Sequence, residues 1–72
     1  METLDLHRRR HHEVDILVEN FVLLEELPVK IITGNSVTMH SLTRSVLERH
    51  GLHWEYESFY NLGAIVVTDN PI

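Results

Sequence analysis

The chain has 72 residues, no cysteine, and a formal net charge of −5 from six Lys and Arg against eleven Asp and Glu. That length makes one domain, residues 1–72, with a thin core, and the missing cysteines exclude a disulfide framework or a thiolate metal site. The acidic balance argues against a protein that coats nucleic acid indiscriminately, because such binding rests on many Lys and Arg at phosphates.

The first predicted element is a strand over about Thr3 to His7. Leu4 and Leu6 share one face, and Thr3, Asp5 and His7 share the other, because side chains alternate along a strand. Helix one is predicted from about Arg10 to Leu27, with Val14, Leu17, Val18, Phe21 and Leu24 on the helical period. Ile16, Val22 and Leu23 widen the apolar surface, and Pro28 is expected to stop the helix.

Strand two, Val29 to Thr33, is short, β-branched and apolar, the pattern of a buried parallel strand. Gly34-Asn35-Ser36 makes a tight turn in which Asn35 or Ser36 can cap the next helix. Helix two is expected over Val37 to His50, with Met39, Leu42, Val46 and Leu47 inward and Gly51 as its left-handed terminator. Strand three runs from Leu52 to about Ser58 with alternating apolar and wet faces. Phe59 to Gly63 connects it to strand four, Ala64 to Thr68, which Asp69-Asn70-Pro71 ends.

The order βαβαββ, with right-handed crossovers, predicts an α+β two-layer sandwich. Its sheet is mixed and four-stranded, both helices lie on one face, strand four is central and strand three is at an edge. No run approaches the ~20 apolar residues of a membrane span. The first residues carry charge and alternation where a secretory signal carries an apolar run, so a cytoplasmic protein with no membrane partner is expected.

With both strand-loop-helix junctions read, the chain resembles the Smr (small MutS-related) domain family. Leu4-Asp5-Leu6-His7 reads as the family's LDLH. Ile31-Ile32-Thr33-Gly34 with His40-Ser41 resembles its ITGxG…HS segment, and Asn61 to Val67 resembles its closing glycine-containing strand. The resemblance spans essentially the whole chain, with Arg8 and Ser36 where the family usually has glycine. It implies nucleic-acid endonuclease activity, as DNA nicking or RNA cleavage, with DNA or RNA as partner.

Both junctions are expected at the carboxyl ends of strands one and two, where ligands of α/β sheets bind. There His7 is a candidate general acid or base, and Asp5 either orients it or holds a divalent ion such as Mg or Mn. Alternatively, Asp5 accepts hydrogen bonds from the Gly34-Asn35 backbone and only pins two loops together. His40, in the first turn of helix two, is either a second proton-transfer group or a plain surface histidine.

Arg8, Arg9 and Arg10 form the only dense cationic block. They are either phosphate contacts or a solubilising turn, and their conflict with the helix dipole favours an anion nearby. Thr33, Gly34, Asn35 and Ser36 are either a phosphate cradle or an ordinary cap. His11 and Asp15 are one turn apart but lack the further ligands a metal site needs. Trp54 and Tyr56 either stack on bases or belong to the core. Beside the nuclease reading stand two others: a nucleic-acid-binding module without chemistry, and an interaction domain that forms a homodimer through helix one.

Overall fold

The computed structural model describes residues 1–58 and 61–68. Its elements, in chain order, are β1 (Glu2–Asp5), α1 (His11–Leu24), β2 (Val29–Ile32), α2 (Val37–Arg49), β3 (His53–Tyr56) and β4 (Ala64–Thr68). The four strands form one mixed sheet in the order β1-β2-β4-β3. β1 and β2 are parallel, and β4 runs antiparallel to both β2 and β3. The fold is the expected α+β arrangement, with β4 central and β3 at an edge.

Register explains the core. Leu4 pairs with Ile31, Ile31 with Ile65, and Val67 with both Val29 and Trp54, so these side chains share one face of the sheet. Onto that face pack Val14, Val18 and Val22 of α1 and Met39, Val46 and Leu47 of α2. The two helices also pack against each other. Among the described residues, no helix is long and apolar enough to cross a membrane.

Three boundaries differ from expectation. β1 stops at Asp5 rather than His7, because the Asp5 carboxylate accepts the His7 N–H at 2.8 Å and bends the chain into a turn. α1 ends at Leu24, three residues before the expected Leu27, with Glu25 already extended. Pro28 restrains only the residue before it; the earlier stop coincides with two glutamates at the negative end of the helix dipole and no basic residue in the last turn. β3 is shorter than Leu52 to Ser58 because the Leu52 N–H bonds back to the Leu47 carbonyl at 3.0 Å, which makes Leu52 part of the helix terminator around Gly51. Leu24 points to solvent rather than inward, and Val22 is core rather than surface. Phe59, Tyr60 and the segment from Asp69 to Pro71 lie outside the described residues.

On the sheet face away from the helices, Lys30 of β2 forms an ion pair with Glu57, just beyond β3. The hydrogen bond and charge of Lys30, with a hydrogen bond from Asn61, hold the Glu57 carboxyl below its ordinary value of 4.5. A lowered carboxylate pKa stabilises the fold above the unfolded value, and that contribution is lost as pH falls through the folded value. The melting temperature of Lys30→Met should therefore lie below that of the wild type at neutral pH, and the gap should close between about pH 5 and pH 3. A gap independent of pH would contradict the role given to this pair.

Candidate functional site

The site is built on two turns at one end of the sheet. The first leaves β1. Leu6 stays in the ladder, its N–H donating to the Ile32 carbonyl at 2.8 Å, so the exit of β1 lies directly beside the exit of β2. Past it Arg8 adopts φ 72°, a left-handed conformation that favours glycine. This is the position at which the family resemblance implies glycine, and the backbone takes a glycine-like conformation with arginine in place. Arg8, Arg9 and Arg10 are exposed and, among the described residues, enter no ion pair. Arg10 is the N-cap of α1 and makes no side-chain capping bond.

The second turn joins β2 to α2. Gly34 takes φ +68°, and its Cα is approached so closely by Gly63 that a Cβ on Gly63 would stand 3.2–3.3 Å from Gly34 backbone atoms. The Gly63 carbonyl accepts from the Thr33 N–H at 2.8 Å and the Gly34 N–H at 3.0 Å, and the buried Thr33 hydroxyl lies 3.0 Å from the Gly34 carbonyl oxygen and 3.2 Å from that of Gly63. Ser36 caps α2 by accepting the Met39 N–H at 3.1 Å, which leaves Asn35 outside the cap.

His40 closes the turn from the helix side. Its Nε2 lies 2.9 Å from the Gly34 carbonyl oxygen. A carbonyl only accepts, so Nε2 carries the hydrogen and Nδ1 of the neutral ring keeps a lone pair. Nδ1 is 3.5 Å from the Tyr56 hydroxyl, and the two rings are 5.6 Å apart. Tyr56 in turn meets Trp54 edge-on at 5.6 Å, and the Arg44 guanidinium lies 5.9 Å from the Trp54 ring centre.

His40 and Tyr56, with Asn35, Ser36, Val37 and Leu62, line a cleft of about 230 Å³ over the first turn of α2. Tyr56 is 37% exposed, Leu62 49% and Val37 81%, so the rim presents apolar and aromatic surface around one imidazole nitrogen.

A chain of side-chain bonds runs from the open sheet face to this cleft. Glu57 joins Lys30 and also accepts from Asn61 Nδ2 at 2.9 Å; Asn61 Oδ1 accepts the Gly63 N–H at 3.1 Å; Gly63 holds Gly34; and Gly34 holds His40.

The structure thus joins Thr33, Gly34, Ser36 and His40 into one unit. It sets Asp5, His7 and the three arginines at the same end of the sheet, one strand over, with no hydrogen bond or ion pair between the two groups among the described residues. Asp5 neither contacts the Gly34-Asn35 backbone nor bonds the His7 ring; its partner is the His7 N–H. Among the described residues, no group of three or more His, Asp or Glu side chains is placed to hold a metal ion.

Tyr56 is a member of the cleft that sequence reasoning did not place there. Tyr56 was weighed only as core or base-stacking residue. Its position as the last residue of a strand parallel to β2 is the signal that puts it at this end. No protein-family model, curated protein or solved structure matches this chain.

Two substitutions test the turns. Arg8→Gly relieves the left-handed strain but loosens the unfolded chain, and should raise stability by about 0.5–1 kcal/mol in urea unfolding. Gly63→Ala forces a methyl against the Gly34 backbone and should cost about 1–3 kcal/mol in the same measurement.

Proposed function

We propose that this domain binds nucleic acid and cleaves it as an endonuclease of the Smr type. The observation that carries the reading is the fixed imidazole of His40. Its Nε2–H is held by the Gly34 carbonyl, and its Nδ1 lone pair is turned to the Tyr56 hydroxyl beside a cleft. The end of the sheet that carries it also carries three arginines without ion pairs. Guanidinium groups suit phosphate oxygens in geometry and charge, and the N–H groups opening α2 favour the same anion.

In this reading the arginines and the Gly34 turn hold a phosphodiester. His40 Nδ1 takes the proton of the attacking oxygen, a water or a ribose 2′-hydroxyl, as that oxygen bonds to phosphorus. The bond from phosphorus to the leaving oxygen breaks, and protonated His7 gives that oxygen its proton. Asp5, by fixing the His7 backbone, positions the ring without entering the proton transfer. Tyr56 and Leu62 offer the aromatic and apolar surface against which an unpaired base stacks.

A binding module without chemistry is the second reading. It is favoured by the Asp5 carboxylate bonding a backbone N–H rather than the His7 imidazole, so that Asp5 and the His7 ring do not form an acid–imidazole pair.

Cleavage of labelled RNA and of supercoiled DNA, with wild type, Asp5→Ala, His7→Ala and His40→Ala, separates the two. The nuclease reading expects His7→Ala and His40→Ala each to lose about 10²–10⁴-fold in rate while keeping affinity. No turnover by any form, with binding that weakens steeply as salt rises, selects the binding module. Equal cleavage by all forms, or binding of neither nucleic acid, overturns both.

A further inference from the structure

The outer face of α1 takes no part in the site. Ile16, Asn20 and Leu24 follow at i, i+4 and i+8, one stripe along the helix, and all three are exposed, with Leu23 beside them. Ile16 is 64% exposed and Leu24 80%. A cleft of about 320 Å³ opens at the amino-terminal end of the stripe, lined by Arg9, His12, Glu13, Ile16 and Leu17.

The charges at the two ends of α1 both oppose the helix dipole. Arg8, Arg9 and Arg10 gather at the positive end. Glu25 and Glu26 follow the negative end, where the last turn holds no basic residue. Neither glutamate enters an ion pair among the described residues.

We infer that this face docks a second copy of the same chain, helix against helix and antiparallel. The charge layout selects that occupant. An antiparallel neighbour brings Glu25 and Glu26 of one copy to the arginine end of the other, twice over, and opposes the two dipoles. The same twofold is self-complementary in shape. Ile16 and Leu24 lie one turn either side of Asn20, so with Asn20 near the axis each Leu24 faces the other copy's Ile16 and its cleft. Two amides meeting at the axis bond each other and fix the register, as a polar residue does within an apolar helix seam. The dimer uses Arg9 and His12 of the cleft; it shares Arg9 with the proposed phosphate contacts but does not rest on the nucleic-acid reading.

Sedimentation equilibrium of the whole chain over a concentration series tests this. The expected result is a monomer–dimer equilibrium with Kd on the order of 1–100 µM, as for a small interface, weakening as salt screens the end charges. Leu24→Lys places a cation in the helix's last turn, where it favours the monomer's fold, but sets a charge to be desolvated against the second copy's Ile16. It should weaken the dimer at least about tenfold with no loss of helical circular dichroism or melting temperature. Arg9→Glu and Glu26→Arg should each weaken association, and the double variant should restore it. A wild-type monomer up to about 1 mM, unchanged dimerisation in Leu24→Lys, or no restoration in the double charge swap overturns the proposal.

Discussion

The contact on which the rest of this structure depends is the one between Gly63 and Gly34. The segments just after β2 and just before β4 approach until a Cβ on Gly63 would stand only 3.2–3.3 Å from Gly34 backbone atoms, and one carbonyl collects two backbone N–H groups with the Thr33 hydroxyl beside it. Buried backbone polar groups need partners, and two N–H donors find theirs at a single oxygen. The left-handed Gly34 then aims its own carbonyl away from the sheet, toward α2. His40 takes that carbonyl, so the same approach that closes the sheet sets the tautomer of an imidazole in the neighbouring cleft.

The surrounding polar groups support this contact from both sides of the sheet. Lys30, Glu57 and Asn61 hold the turn before β4 from the open face, while Ser36 and His40 hold the turn after β2 from the helix face. A domain of this size has a thin core and little stability to spare. Bonds that link distant segments therefore decide how well the cleft keeps its shape. The β1 turn lacks such ties. It is set locally by Asp5 and carries strain at Arg8, and its arginines reach solvent unpaired. One half of the candidate site is a frame tied by bonds between distant segments, and the other is an exposed cationic turn.

Element order, strand centrality and the parallel pairing of β1 with β2 were legible in the sequence. They follow from local pattern: alternation in β1, β-branched runs in β2 and β4, and a glycine after α2. Ser36 as a cap and Gly51 as a terminator were equally legible, because capping is chemistry within a few residues. Sequence reading placed Gly34 and Gly63 in separate motifs, and nothing local says that the two touch across 28 intervening positions. The pairing of His40 with Tyr56 was hidden for the same reason. The end of α1 was misjudged because the proline was given more weight than the glutamates, and the period that placed Leu24 inward ran past the helix's last packed turn.

Long-range 1H–15N correlation of the histidine rings in the wild-type protein, at a pH where His40 is neutral, tests the central claim most directly. The account predicts a protonated Nε2 and an unprotonated Nδ1 at His40, with a slowly exchanging Nε2 proton held by the Gly34 carbonyl. A ring protonated at Nδ1, or one averaging between tautomers, would mean that Gly34 does not hold His40, and would contradict it.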